Sequence, residues 1–140
     1  MKQTNRFVVF IILLVVLQVS CGVKKGRESA ERAVEKFHTQ LNAGQFHEIY
    51  AESDEGFRQA ISEADATALF DAVRRKLGIV QEAKSSGWHV NANTAGTFWT
   101  LGYDVVFSEG KAVEQFVFKI DGEKALLFNY NVNSPLLITR

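Results

Sequence analysis

Residues 96–132 read GTFWTLGYDVVFSEGKAVEQFVFKIDGEKALLFNYNV, and this stretch decides the fold. Aromatic and β-branched residues alternate with polar ones, and a period of two is typical of β-strands. The pairs Glu109-Gly110 and Asp121-Gly122 interrupt the alternation, and they favour two-residue hairpin turns because glycine accepts a positive φ. A fourth run of similar composition precedes them. We therefore predict an antiparallel meander of four strands: Ile79–Val90, Gly96–Phe107, Lys111–Ile120 and Lys124–Val132.

The two predicted turns also determine which side chains share a face of the sheet, because successive side chains of a strand point to opposite sides. Closing the first hairpin at Glu109-Gly110 places Glu114 opposite Val105. Closing the second at Asp121-Gly122 places Asn129 opposite Glu114. Glu114 is then the one charge on a face lined by Trp99, Leu101, Tyr103, Val105, Phe116 and Phe118. The other side of the last strand would carry Leu126, Phe128, Tyr130 and Val132.

Helical patterns precede the sheet. Apolar residues at helical spacing predict an amphipathic helix over Glu28–Ala43 and a shorter one over Gln45–Ala51. Ser62 followed three residues later by Asp65 resembles a capping box, and it opens a third helix that closes at Gly78. Helices followed by an antiparallel sheet indicate an α+β fold, in which the helices pack on one face of a curved sheet.

The amino-terminal segment has the composition of an export signal. Lys2 and Arg6 precede an apolar run over 7–17, which is shorter than the ~20 residues that a membrane-spanning helix needs. The residues Gln18-Val19-Ser20-Cys21 resemble the bacterial lipobox, with Gln18 at the position where the family usually has leucine. The resemblance implies a lipid on Cys21 and cleavage before it. An ordinary cleaved secretory signal with an incidental cysteine is the alternative.

This interpretation divides the chain into three parts. Residues 1–20 form the lipoprotein signal peptide, residues 21–27 the lipidated cysteine and a short tether, and residues 28–137 a single α+β domain. Acyl chains on Cys21 would hold the protein firmly at a membrane. Gly22 follows the cysteine in place of aspartate, and the lipoprotein resemblance then implies the periplasmic face of the outer membrane where two membranes exist. A soluble periplasmic or secreted protein is the alternative location.

Composition excludes several function classes. The chain has 16 Lys and Arg and 16 Asp and Glu, and two of the basic residues lie in the leader, so the mature chain is slightly acidic. Such a balance gives no electrostatic footprint for nucleic acid. Cys21 is the single cysteine, so no disulfide within the chain is available to stabilise the domain. The sequence predicts no cofactor.

Three short motifs give the chain a resemblance to a known superfamily. They are Leu41-Asn42-Ala43-Gly44-Gln45-Phe46 between the first helices, Arg75-Lys76-Leu77-Gly78 before the sheet, and Glu114-Gln115-Phe116-Val117 in the third strand. With the order of elements, they resemble the nuclear transport factor 2-like and cystatin-like superfamily, and within it small bacterial exported families of unknown function. The resemblance implies a cone-like arrangement of helices and bent sheet around a pocket. Some members use that pocket for catalysis and others for binding or dimerisation.

Glu114 is the leading candidate for a functional residue, because a carboxylate among apolar side chains must find a donor, a proton or water. One hypothesis is a ligand pocket in which asparagine amides and a tyrosine hydroxyl supply hydrogen bonds. The structural alternative is an ion pair between Glu114 and Arg74 or Arg75. The predicted ligand-binding set is Glu114, Asn129, Asn131, Tyr103 and Trp99.

No catalytic signature is present in the sequence. His38, His47 and His89 have no metal-site spacing, and we interpret each as a surface or capped histidine. The leading hypothesis is a lipid-anchored envelope protein with a non-catalytic domain that binds a ligand or a protein. A small-molecule enzyme of isomerase or hydrolase type, using Glu114, is one alternative. The other is a structural or assembly protein that pairs with itself or an envelope partner through Leu126, Phe128, Tyr130 and Val132.

Overall fold

A computed structural model describes the backbone of residues 4–138 and the side chains of residues 22–138. The four strands form one sheet in the order in which they follow each other in the chain, and every neighbouring pair is antiparallel. Helices followed by this meander confirm the predicted α+β class. The elements are α1 (Thr4–Ala43), α2 (Phe46–Ala51), α3 (Glu55–Ala60), α4 (Glu63–Leu77), β1 (Val80–Asn93), β2 (Gly96–Phe107), β3 (Lys111–Asp121), β4 (Lys124–Asn133) and α5 (Pro135–Ile138).

Helix α1 begins well before the predicted start at Glu28, so residues 22–27 are helical rather than an extendable tether. Gly26 explains how the helix continues there: a Cβ built on it would lie 2.8 Å from Nε1 of Trp99, so only glycine lets the helix approach the sheet this closely. Ion pairs one turn apart also stabilise this segment. They join Lys24 to Glu28 and Arg27 to Glu31.

The leader prediction falls mostly outside the described part of the chain. Residues 1–3 are not described, and neither are the side chains up to and including Cys21, so lipidation of that sulfur stays a prediction. Within residues 22–138, whose side chains the structure describes, no helix combines the length and the apolar composition that crossing a bilayer requires.

The helix boundaries near α4 follow the sequence signals. The Ser62 hydroxyl accepts a hydrogen bond from the Asp65 N–H at 3.1 Å, which confirms the predicted cap. The helix ends at Gly78, where φ is +82° and ψ is −150°. The short α3 was not predicted, because six residues are too few for a helical period to show. Its cap residue, Asp54, donates its N–H to the Leu127 carbonyl at 2.8 Å and so attaches α3 to β4.

Gly78 gives a direct test of this helix end. Its φ and ψ fall in a region that is almost restricted to glycine, and an added Cβ would meet the Ser108 hydroxyl. We expect Gly78→Ala to lower the free energy of unfolding by about 2–3 kcal/mol in urea titrations. Gly44→Ala is the matched control, because Gly44 also has a positive φ but open space around its Cβ. It should cost about 1 kcal/mol. Equal losses at the two sites would contradict the role of the contact.

The first predicted hairpin register is wrong by two residues. Val105 lies opposite Ala112, and Glu114 lies opposite Tyr103 rather than Val105. The turn residues are Ser108 and Glu109, whose N–H groups donate to carbonyls at the end of α4 and just after it. These hydrogen bonds place the turn one residue earlier in the chain than the Glu109-Gly110 pair predicts. Because the shift is an even number, every side chain of β2 and β3 keeps its predicted face.

The second predicted register is also wrong, and this error places residues at the end of β4 on the wrong face of the sheet. Phe118 pairs with Leu127 while Val117 pairs with Asn129, so Phe128 is an extra residue in β4. A bulge of this kind reverses the alternation beyond it. Tyr130 and Val132 therefore turn toward the core. The prediction that Leu126, Phe128, Tyr130 and Val132 share one outer face is wrong for this reason.

The core lies between the inner face of the sheet and helices α1 and α4. Phe116 is fully buried at its centre, and its ring is 5.1 Å from that of Phe37 on α1. The outer face differs: Phe98 and Phe128 pack on each other there with ring centroids 5.0 Å apart. The helices contribute to the core Ala30, Val34, Phe37 and Leu41 from α1 and Ala66, Phe70, Val73 and Leu77 from α4.

Candidate functional site

Glu114 lies at the inner face of β3 with none of its surface exposed, as the sequence pattern predicts for that face. Its Oε2 is 2.6 Å from Nε2 of His38. Its Oε1 accepts a hydrogen bond from the Tyr130 hydroxyl, also at 2.6 Å. Both carboxylate oxygens are thus bonded, and the three residues form one polar cluster inside an apolar core.

Three separate elements position this cluster. His38 follows Phe37 on α1 and lies four residues after Val34, so it faces the sheet and is only 7% exposed. Glu114 comes from the middle of β3, and Tyr130 comes from β4 just beyond the bulge. Rings of Phe116 and Tyr103 flank the imidazole, with centroids 5.7 and 6.5 Å away. The cluster therefore ties α1 to both strands.

The histidine predictions have mixed outcomes. The prediction that His38 is a surface or capped residue is wrong, since it is buried and bonded to Glu114. Its position in the apolar stripe of α1 was a signal that could have identified it. His47 and His89 are exposed, as predicted. His47 contacts Glu63, and that hydrogen bond raises the pKa of its imidazole.

The structural alternative for Glu114 also needs correction. Arg74 and Arg75 do not reach it: Arg74 donates to the Asn42 carbonyl at 3.2 Å, and Arg75 pairs with Asp71 one turn earlier on α4. Both lie in the last turn of α4, where positive charges stabilise the carboxyl end of the helix through its dipole. The partners that bond Glu114 come from α1 and β4.

The predicted ligand-binding set does not come together. Asn129 and Asn131 are exposed on the outer side of β4 because the bulge reverses the alternation, so the prediction that they share a face with Glu114 is wrong. Tyr103 lies directly opposite Glu114 and is 8% exposed. Burial raises the pKa of its phenol, and Glu31 and Glu35 add to the effect. Trp99 is buried against α1 at Gly26, and its ring packs on that of the exposed Trp88.

Electrostatics keep Tyr130 in its neutral form. Burial, followed by the charge of Glu114 and the hydrogen bond to it, raises the pKa of the phenol well above its usual 10. A neutral phenol can donate to the carboxylate, whereas a phenolate would repel it. The folded protein therefore holds this proton more tightly than the unfolded chain does.

This pKa shift predicts alkaline sensitivity. Because the folded pKa of Tyr130 exceeds the unfolded value, its stabilising contribution is complete below about pH 10 and is lost as the pH rises above that. The free energy of unfolding should fall more steeply above pH 10 in the wild type than in Tyr130→Phe, by about 1.4 kcal/mol per pH unit. Urea titrations across that range would measure both slopes. Identical slopes would show that Tyr130 is not the group responsible.

Three clefts in the described part of the chain lie away from Glu114. The first, of about 450 Å³, separates α1 from β4. The second, of about 600 Å³, lies on the outer face near Asp104 and Val113. The third, of about 530 Å³, lies beside Gly22 and Gly26 on α1 and the β3–β4 turn. Glu114 lines none of these three.

In this state the hydrogen bonds of the buried cluster connect α1 to the sheet and leave no free group on Glu114 for a reaction. A carboxylate bonded to imidazole and phenol groups has acid–base character, but general catalysis also needs a reacting atom within hydrogen-bonding reach. Both oxygens of Glu114 are already occupied, and its side chain has no accessible surface. Among the residues that the structure describes, no three His, Cys, Asp or Glu side chains are grouped so that they could hold a metal ion.

Comparison of the chain with protein-family models and with curated proteins gives no match.

Proposed function

We propose that this chain is a lipid-anchored protein of the bacterial cell envelope whose α+β domain binds a ligand or a protein partner without catalysing a reaction. The anchor would be a lipid on Cys21, and the domain would face the periplasm from the outer membrane where two membranes exist. The cone-like closure that the superfamily resemblance implies stays a prediction, and the proposal does not depend on it.

The observation that carries the proposal is the continuity of α1 across Cys21 and into the core. Helix α1 includes Cys21 and packs on Trp99 at Gly26, five residues later, which is about 8 Å along a helix axis. A lipid at Cys21 would therefore hold the domain close to the bilayer and in a limited range of orientations. A binding domain that meets its partner at a membrane surface benefits from such fixation, because less freedom is lost on binding.

The buried cluster supports the non-catalytic part of the proposal. His38 and Tyr130 saturate Glu114, which is the arrangement expected of a buried carboxylate that stabilises a fold. The enzyme alternative would need the core to open around Glu114, although the histidine–carboxylate pair has the chemistry for proton transfer. Replacing Glu114 with Gln distinguishes the two: loss of stability without a change in ligand binding favours the structural role.

Fractionation of cells tests the anchor. In a bacterium with two membranes, we expect the wild-type chain in the membrane fraction and labelled by radioactive palmitate. The Cys21→Ala variant should lose the label and leave the membrane fraction. Gly22→Ala is the matched control, because it keeps the cysteine and a Cβ at Gly22 meets open space. Equal distribution of the Cys21→Ala and Gly22→Ala proteins would contradict the proposal.

A further inference from the structure

The cleft between α1 and β4 has an apolar floor and polar, charged walls. Its volume of about 450 Å³ is within the range of ligand sites. The floor is formed by apolar side chains that also belong to the core, while the walls carry polar and charged ones. The floor residues are Phe37, Ile49, Phe118 and Leu127.

One wall of this cleft is the free edge of the sheet. Among the residues that the structure describes, strand β4 has a neighbouring strand only on its β3 side. Ala125 lies opposite Ile120, one residue after the closing pair Asp121–Lys124. In an antiparallel hairpin, such a position is not hydrogen-bonded to its partner, so the N–H and C=O of Ala125 point away from the sheet. Leu127, two residues on, has the same orientation, and its carbonyl accepts from the Asp54 N–H. The chain thus already pairs with this edge at Leu127.

Charges line the two walls. Arg32 and Lys36 lie on α1, and Lys124 lies on β4. Two acidic residues, Glu52 and Glu123, also line the cleft. Lys36 binds Glu52 at 2.6 Å, and Gln40 donates to the same carboxylate group at 2.9 Å, so that pair is internally balanced. Of the other charged residues, Arg32 lies on the α1 wall, and Lys124 lies on the opposite wall next to Glu123 in the chain.

We propose that this cleft binds an extended peptide segment that carries a carboxylate, with the peptide backbone pairing to Ala125 as an added strand. The inference rests on the proposed binding function and names its partner class. An apolar side chain of the peptide would contact Phe118 and Leu127. The carboxylate, on a side chain or at the peptide terminus, would lie between Arg32 and Lys124. A backbone donor and acceptor at the same residue favour a peptide over a fatty acid, which has no N–H to offer.

Selection from a displayed library of random linear octapeptides tests the proposal on the full chain in detergent micelles. We expect enriched sequences to alternate apolar residues with an acidic residue. Binding of one synthetic enriched peptide is then compared between variants by fluorescence anisotropy. Ala125→Pro removes the outward N–H without breaking a bond to β3, and it should weaken binding at least about tenfold. Ala92→Pro is the matched control, because Ala92 is exposed and lies at the equivalent position of β1, next to the closing pair Asn93–Gly96 and outside the cleft. This variant should bind like the wild type.

A second variant keeps the test decisive if Ala125→Pro disturbs the strand. Arg32→Glu changes an exposed helical residue, and it should weaken binding of the acidic peptide about three- to tenfold. The same peptide with its acid replaced by the amide should be insensitive to that change. Failure of the library to enrich any sequence, or equal binding to Ala125→Pro and Ala92→Pro, would overturn the inference.

Two further outcomes are informative. Tight binding of a dansyl fatty acid that Arg32→Glu abolishes and Ala125→Pro leaves intact would overturn the peptide in favour of an anionic amphiphile. Retention of Cys21→Ala in the membrane fraction, with peptide binding unchanged, would instead count against the proposed anchor. The two proposals therefore fail through different results.

Discussion

Glu114→Ala is expected to lower the free energy of unfolding by about 3–5 kcal/mol, because it removes one member of a buried polar cluster and leaves the others without a partner. His38 and the Tyr130 hydroxyl would lose their bonds at 2.6 Å and face a small cavity. Since domains of this size are stable by only about 5–15 kcal/mol, such a loss would leave the protein marginally folded. Urea unfolding followed by circular dichroism measures it.

Two control variants separate hydrogen bonding from volume. Glu114→Gln keeps an oxygen that can accept from the Tyr130 hydroxyl and an amide N–H that can donate to His38, so we expect a loss of about 1–2 kcal/mol. The triple variant His38→Leu, Glu114→Leu, Tyr130→Phe replaces the whole cluster with apolar groups, and it should recover most of the stability lost in Glu114→Ala. A triple variant less stable than Glu114→Ala would contradict the role given to the unpaired groups.

Phe116→Ala should cost a similar amount, about 3–5 kcal/mol, because the ring is fully buried and truncation leaves a cavity at the centre of the core. The ring stacks on Phe118 with centroids 5.8 Å apart and an interplanar angle of 10°. The ring also packs against His38 and Tyr103, so its removal should weaken the packing around the polar cluster as well. Its other ring neighbours are Phe37, His38, Tyr103 and Tyr130.

Phe98→Ala is the matched control for this prediction. Phe98 is an aromatic residue of the same sheet, but it lies on the outer face, is only partly buried and packs on Phe128. We expect a loss of about 1–2 kcal/mol from its partial burial. Differential scanning calorimetry of the two variants would compare them. Equal destabilisation would show that the core is not centred on Phe116.

The meander could be predicted from the sequence because its signals are local. Alternation and the hairpin glycines placed all four strands, and the ends of β2 matched the prediction. The first turn was misplaced because bonds from Ser108 and Glu109 to the end of α4 are tertiary contacts that the dipeptide pattern does not contain. The even shift preserved the faces, so the burial of Glu114 was still predicted correctly.

The partners of Glu114 could not be predicted in the same way. A bulge at Phe128 exchanges the faces of the last strand beyond it, and Phe128 packs there on Phe98 and lies against Gly56 of α3. Period-based reasoning assumes an unbroken alternation, so it selected Asn129 where the structure uses Tyr130. His38 was different, because its place on the apolar stripe of α1 was readable from helical spacing. A polar residue in such a stripe is a reason to look for a buried partner.

The early start of α1 was also missed, for a physical reason. Gly26 weakens helix propensity, and glycine near basic residues is typical of a linker. Packing against Trp99 outweighs that preference, because a residue without a side chain is what the close approach requires. The consequence for the proposed function is a stiff connection between the lipid attachment point and the domain.

Mass spectrometry of the intact protein extracted from the membrane fraction examines the proposed anchor at the atom concerned. We expect a chain that starts at Cys21 and is heavier than the peptide by a diacylglyceryl group, with a further acyl chain where the amino group is also modified. A chain that retains Met1, or one that starts at or near Cys21 with an unmodified thiol, would contradict the account.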